Sequence, residues 1–118
     1  MYIYKAAVVG AGAMGAEIAQ TISFSGLPVV IKDVNQELVD KGIEKARSIY
    51  QRRVDRGKMS ASDVEPKMAL ISGSTTYDGF GDVDIVIEAV PEKMDLKKKI
   101  FKELEEATPE TCILASNT

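Results

Sequence analysis

Gly10, Gly12 and Gly15 stand at G-x-G-x-x-G spacing between two segments of different periodicity, and that junction admits few folds. Residues 3–9 (IYKAAVV) form an apolar run ending in glycine, the pattern of a strand buried in a parallel sheet. Residues 13–25 follow, with Met14, Ile18 and Ile22 four apart on one helical face and Gly26 as the stop. A glycine turn between a strand and its following helix is the setting in which this spacing has a mechanism. Gly10 permits the tight turn, Gly12 lets backbone approach a pyrophosphate, and Gly15 lets helix lie close on strand. With Ala11, Ala13 and Met14 they make a loop that would seat a pyrophosphate at the positive helix N-terminus.

The alternation of strand and helix continues along the chain. Pro28 opens a β-rich run at 29–31 that closes on Lys32 and Asp33. Asn35 is placed to cap a long helix with the stripe Leu38, Val39, Gly42, Ile43, Ala46, Ile49, Tyr50 and Val54, ended by Gly57. Ser60 and Asp63 have the spacing of a capping box and predict a short helix to Leu70. Residues 72–77 are weakly strand-like before the Asp78-Gly79 turn. Residues 84–90 (DIVIEAV) predict a buried strand stopped by Pro91. Residues 95–107 predict a helix with Leu96, Ile100, Phe101, Leu104 and Ala107 inward and Lys97, Lys98, Lys99 and Glu103 toward water. Residues 112–115 predict a last strand. The expected fold is α/β, a doubly wound (Rossmann) parallel sheet occupying residues 1–118 and incomplete at its C-terminal end, which leaves the last strand an open edge.

Composition narrows the function. The chain has 118 residues, 45% hydrophobic and 28% charged, enough for one globular domain. Fifteen basic and eighteen acidic side chains leave a charge of -3, which does not suit a nucleic-acid or anionic-lipid partner. No apolar run approaches the roughly 20 residues of a bilayer span. The single cysteine, Cys112, points to a reducing compartment, and from the strand-like start no signal peptide is expected. A cytoplasmic protein is the expectation. There is no histidine, so no side chain titrates near neutral pH without perturbation.

Asp33 lies eighteen residues after Gly15, at the end of the second strand. A carboxylate there accepts from both ribose hydroxyls of an adenosine and repels a 2′-phosphate, which favours NAD over NADP; Lys32 beside it weakens that discrimination. Glu88, Ala89 and Glu92 fall at the carboxyl end of the fourth strand, where such sheets line their ligand crevice. Glu92 equally suits the cap of the next helix. Lys97 opposes that helix's dipole unless an anion or carboxylate holds it; otherwise it is one of three solvated lysines.

Val8-Val-Gly-Ala-Gly-Ala-Met-Gly-Ala-Glu-Ile-Ala19, Asp33, Val86-Ile-Glu-Ala-Val-Pro-Glu92, Lys97 and Leu114-Ala-Ser-Asn-Thr118 together resemble the NAD-binding domain of 3-hydroxyacyl-CoA dehydrogenase. The resemblance spans the whole chain. The glycine loop is common to many dehydrogenases; the IEAVPE segment combined with ASNT is more specific. The resemblance implies a pyrophosphate loop at Gly10, Gly12 and Gly15 and a ribose acid at Asp33. It places Glu92 and Lys97 on the nicotinamide side near the acyl-CoA site, Asn117 beside the nicotinamide, and Arg53, with Arg52 and Arg56, near the coenzyme A moiety. It further implies a parent that interconverts 3-hydroxyacyl-CoA and 3-oxoacyl-CoA with NAD and forms a homo-oligomer. The family's catalytic histidine, its partner glutamate and a helical domain would follow Thr118, so the 118 residues alone are expected to bind NAD without turnover. Two other readings stay open. A dehydrogenase of free β-hydroxy acids often carries Asn-Arg where this chain has Asp33. A nucleotide-sensing module needs only the loop and Asp33, and leaves Glu92, Lys97, Ser116 and Asn117 without a role.

Overall fold

The structure, a computed structural model, describes residues 3–90 and 94–116. Its element order is β1 (Ala6–Val9), α1 (Ala13–Phe24), β2 (Val29–Lys32), α2 (Gln36–Asp55), a 3₁₀ turn (Ala61–Asp63), α3 (Val64–Met68), β3 (Ile71–Ser74), β4 (Ile85–Glu88), α4 (Met94–Ala107) and β5 (Ile113–Ser116). The five strands pair in parallel in the order β3-β2-β1-β4-β5. The order reverses between β1 and β4, and a parallel sheet opens its ligand crevice at such a reversal, beyond the strand carboxyl ends.

Strand side chains alternate between two cores because successive residues point to opposite faces. Ala6, Val8, Val29, Ile31 and Ile71 meet Ala19 of α1, Val39, Ala46 and Tyr50 of α2, and Val64 and Met68 of α3. Ala7, Val9, Val30 and Val86 meet Phe80, Val83, and Ile100 and Leu104 of α4 on the other face. Lys32 and Glu88 follow Val30 and Val86 by two, so both project to the α4 side.

Several predicted details differ for identifiable reasons. The first strand starts at Ala6 rather than residue 3, because the side chain of Asp84 takes the N–H groups of Tyr4 (2.8 Å) and Lys5 (3.1 Å). In α1 the buried face is Gly15, Ala16, Ala19, Gln20 and Ser23; Ile18 and Ile22 sit at its margin and Met14 is exposed. Small residues win that face because the helix presses on the strand below. Asn35 does cap α2, its Oδ1 accepting from the Leu38 N–H at 2.9 Å. The predicted capping box does not form: Ser60 Oγ turns to Ser62 Oγ, and the Asp63 N–H donates to the Ser60 carbonyl in a tight 3₁₀ turn. β3 ends at Ser74, whose hydroxyl turns the chain by contacts with Thr76.

The largest correction concerns α4. Lys97, predicted toward water, is 8% exposed, whereas Leu96, predicted inward, is 37% exposed. The inward face runs Lys97, Ile100, Leu104: Ile100 and Leu104 face inward as predicted, and Lys97 takes the place predicted for Leu96. β5 lies at the sheet edge as expected, with an exposed and half-buried pattern.

Candidate functional site

The site is built where β1 and β4 diverge. The chain leaves β1 through Gly10, whose φ of 111° lies in the left-handed region that glycine adopts at least cost. A Cβ there would stand 2.8 Å from the Ala89 carbonyl oxygen, so the turn fits against the end of β4 only as glycine. Ladder bonds run past the strand ends: the Gly10 N–H donates to the Lys32 carbonyl (2.7 Å) and the Ala89 N–H to that of Val9 (2.8 Å). Three strand ends are thereby held in one plane beneath the loop.

Gly15 and Gly12 are glycine for different reasons. A Cβ on Gly15 would fall 1.8 Å from the Gly10 carbonyl oxygen, so this position lets α1 pack on the turn. A Cβ on Gly12 would meet nothing within 4 Å, and its φ of -71° suits any residue. Gly12 is also the N-cap of α1, with no side-chain cap and no acid in the first turn. The protein itself has no use for a bare backbone there; a ligand pressed against the helix N-terminus does, and a pyrophosphate fits both the space and the polarity.

Asp33 clasps this loop. Its Oδ2 accepts from the Ala11 N–H at 2.8 Å and its Oδ1 from the Val34 N–H at 2.7 Å. A carboxylate has about four acceptor directions, so each oxygen keeps capacity for a hydroxyl donor. Charge at the loop and charge at the end of β2 are thus fixed relative to each other.

The loop and Asp33 open onto a cleft of about 1100 Å³, whose walls include Gly10, Gly12, Ala13, Met14, Asp33 and Ala89. Ala11 and Gly15 are buried beneath it and shape the loop from below. Leu38, Leu96 and Ile100 give the cleft an apolar wall, with Lys32, Tyr77, Lys99 and Glu103 at its polar end. Read from sequence, Tyr77 and Glu103 have no part in a site: 72–77 reads as a weak strand and Glu103 as facing water, whereas Glu103 is half-buried and meets Tyr77, a contact that nothing local shows. Burial, and then the Glu103 carboxylate at its hydroxyl, push the Tyr77 pKa up to about 12. Gly42 also escaped notice as more than a stripe position. A Cβ there would lie 2.8 Å from Ala11 Cβ and the Ala11 carbonyl oxygen, so Gly42 lets α2 back the glycine loop.

Lys97 stands apart from the cleft walls. Its Nζ lies 3.4 Å from Glu88 Oε1, and Glu88 is fully buried. Glu88 Oε2 accepts from the Val90 N–H (2.7 Å) and Oε1 from Ser116 Oγ (2.9 Å). The carboxylate therefore answers the question raised by a lysine near a helix start. It also joins the ends of β4 and β5 to α4. Lys97 Nζ is dry and has no hydrogen-bond partner among the described residues. Glu92 and Asn117 lie outside the described residues.

Arg53 is placed at the opposite end of α2 from the cleft. It borders a cavity of about 250 Å³ with Gln20, Ile49, Arg52, Arg56 and Lys58. Its guanidinium stacks on the Phe24 ring at 4.5 Å, and its Nε is buried with no hydrogen-bond partner among the described residues.

A five-stranded parallel sheet, a glycine loop entering a helix at the strand reversal, and a carboxylate ending β2 define a dinucleotide-binding domain of the Rossmann type. The family described as 3-hydroxyacyl-CoA dehydrogenase, NAD binding domain, matches residues 5–118. The peroxisomal fatty acid β-oxidation multifunctional protein of Arabidopsis thaliana is 46% identical over 116 residues, 98% of this chain and 16% of that protein. The fatty acid oxidation complex subunit alpha of Psychrobacter arcticus is 41% identical over the same shares of the two chains. The crystal structure of (S)-3-hydroxybutyryl-CoA dehydrogenase from Ralstonia eutropha superposes with a TM-score of 0.95 at 41% identity, covering 99% of this chain and 41% of that one. The chain belongs to the NAD-binding domain family of the 3-hydroxyacyl-CoA dehydrogenases, and its cofactor is NAD.

The chain spans about a sixth of the curated relatives' length. The comparisons overturn the cytoplasmic expectation, since the Arabidopsis relative is peroxisomal. A low cysteine count reports redox conditions, whereas organelle delivery is read by receptors from short signals that composition does not reveal. No helix among the described residues is long and apolar enough to cross a membrane.

Proposed function

We propose that this chain forms the NAD-binding part of an enzyme that interconverts 3-hydroxyacyl-CoA and 3-oxoacyl-CoA in fatty-acid β-oxidation. The observation that carries the reading is the open space above Gly12 at an uncapped helix N-terminus, facing Asp33 across one cleft. Gly10, Gly12 and Gly15, with Ala11, Ala13 and Met14, would hold the pyrophosphate. Asp33 would take the adenine ribose while its bonds to Ala11 and Val34 keep it aimed. Ala89 would wall the nicotinamide side, with Glu92, Lys97 and Asn117 beyond it toward the acyl group. Lys97 lies outside the cleft walls, paired with Glu88, so its contribution there would be to hold the end of β4 in place through that carboxylate. Arg53 and its basic neighbours would meet the phosphates of coenzyme A.

NAD, when bound, supplies the hydride acceptor. Oxidising the hydroxyl also needs a base for its proton. The 118 residues hold no histidine, so we assign that base to a part of the enzyme outside them. Apposition of the two parts, and a homo-oligomeric parent, complete the reading. The test is calorimetric titration of the complete protein with NAD and NADP, together with NADH oxidation on addition of a 3-oxoacyl-CoA. The expected result is NAD binding well above NADP and turnover that requires the thioester. NADH oxidation indifferent to the acyl-CoA would refute the substrate assignment, and absence of NAD binding would refute the site.

A further inference from the structure

We propose that Tyr77 is a specificity-determining residue of the cofactor cleft, which holds the Lys32 ammonium on its ring face and so denies that cation to a 2′-phosphate beside Asp33. The inference rests on the reading of Asp33 as the ribose acid. Lys32 immediately precedes Asp33 and lines the same cleft. By position alone it is the cation that would admit the phosphorylated cofactor. Strand alternation sends the two side chains apart: Asp33 turns to the glycine loop, and Lys32 turns to the α4 side of the sheet.

What receives Lys32 there is built. Its Nζ sits 4.4 Å from the centroid of the Tyr77 ring, within cation–π range. The ring is held in turn. Phe80, fully buried, meets it edge-on with centroids 5.2 Å apart, and the Glu103 carboxylate of α4 lies at its hydroxyl. Tyr77 thus belongs to a packed unit of β3–β4 loop and α4 rather than to a mobile surface. Asp33 therefore acts against a 2′-phosphate with its neighbouring cation already engaged, and the carboxylate decides the preference. Removing the ring face frees a flexible ammonium next to the ribose position.

The experiment measures NAD and NADP dissociation constants by calorimetry on the complete protein and on Tyr77→Leu, Tyr77→Phe, Lys32→Met and Tyr77→Leu/Lys32→Met. Tyr77→Leu should raise NADP affinity relative to NAD by about fivefold, on the order of one cation–π contact. Tyr77→Phe keeps the ring face and should leave the ratio at the wild-type value. The double variant should lose the gain. Lys32→Met in the wild-type background should change the ratio less than about twofold, because a captured lysine has no phosphate to lose. This arm serves even where Tyr77→Leu does not fold. A large fall in NADP affinity in Lys32→Met, or a Tyr77→Leu gain that survives in the double variant, would overturn the inference. Wild-type protein that binds NAD while these arms fail leaves the NAD site standing; wild-type protein that binds neither nucleotide removes both.

Discussion

Lys97 and Glu88 form a buried ion pair, 3.4 Å apart, with the carboxylate fully buried and the ammonium side chain 11% exposed. Glu88 accepts from the Val90 N–H and Ser116 Oγ and faces the Lys97 ammonium, so it ties the ends of β4 and β5 to the first turn of α4. Breaking one side of such a pair strands a charge in a dry place. Glu88→Ala and Lys97→Met should each destabilise the protein by about 3–5 kcal/mol, and the double variant Glu88→Ala/Lys97→Met, which strands no charge, should cost less than their sum. Urea unfolding of the wild type and the three variants decides this. Single-variant losses that simply add in the double variant would mean that the pair does not bury its charges as described.

The two small glycines of the loop predict opposite phenotypes. Gly15→Ala places a methyl 1.8 Å from a backbone oxygen and should cost about 3 kcal/mol or more, with NAD binding lost alongside. Gly12→Ala enters open space and should cost less than about 1 kcal/mol, yet weaken NAD at least about tenfold. Thermal melts paired with calorimetry separate stability from binding. Unchanged NAD affinity in Gly12→Ala would show that the space is not the cofactor's.

Asp33→Ala removes a charged acceptor from the Ala11 N–H and from the cleft at once. A charge-assisted bond of this kind contributes about 1.5–3 kcal/mol, so NAD affinity should fall by more than tenfold. NADP affinity should fall less, narrowing the preference. Asp33→Asn, which retains an acceptor for Ala11, should keep more stability while still losing discrimination. A full NAD preference in Asp33→Asn would move the determinant elsewhere.

Alkaline pH should act through Tyr77. Burial first, and Glu103 second, raise its pKa to about 12 from an ordinary value near 10. The neutral phenol is thus favoured in the folded protein. Its contribution is complete below pH 10 and is lost as pH rises toward 12. Melting temperature should fall more steeply across that window in the wild type than in Tyr77→Phe. A spectrophotometric titration should also show one late phenol that Tyr77→Phe lacks. Parallel melting curves for the two proteins would place Tyr77 in solvent.

Much of this site was legible in the chain because it rests on short-range signals. The glycine spacing between a strand and a helix, Asp33 at a strand end, and Asn35 as a cap each depend on residues within a turn or two of one another. Element order followed for the same reason, since apolar periodicity and turn residues are local. The chain could not disclose which strands are neighbours. Nor could it show that Asp84 holds Tyr4 across 80 positions, or that Gly42 backs the loop at Ala11. Lys97 is the clearest case. A lysine in a run of three reads as solvated, and only the return of β4 beneath α4 brings the carboxylate that makes its burial tolerable. Lys32 is its counterpart on β2: its position beside Asp33 is written in the sequence, while its capture by Tyr77 depends on the β3–β4 loop folding over the sheet. Local chemistry is encoded along the chain. The face a side chain presents, and the partner it meets there, are settled when distant segments pack, because charge and volume are then matched across the sheet rather than along the sequence.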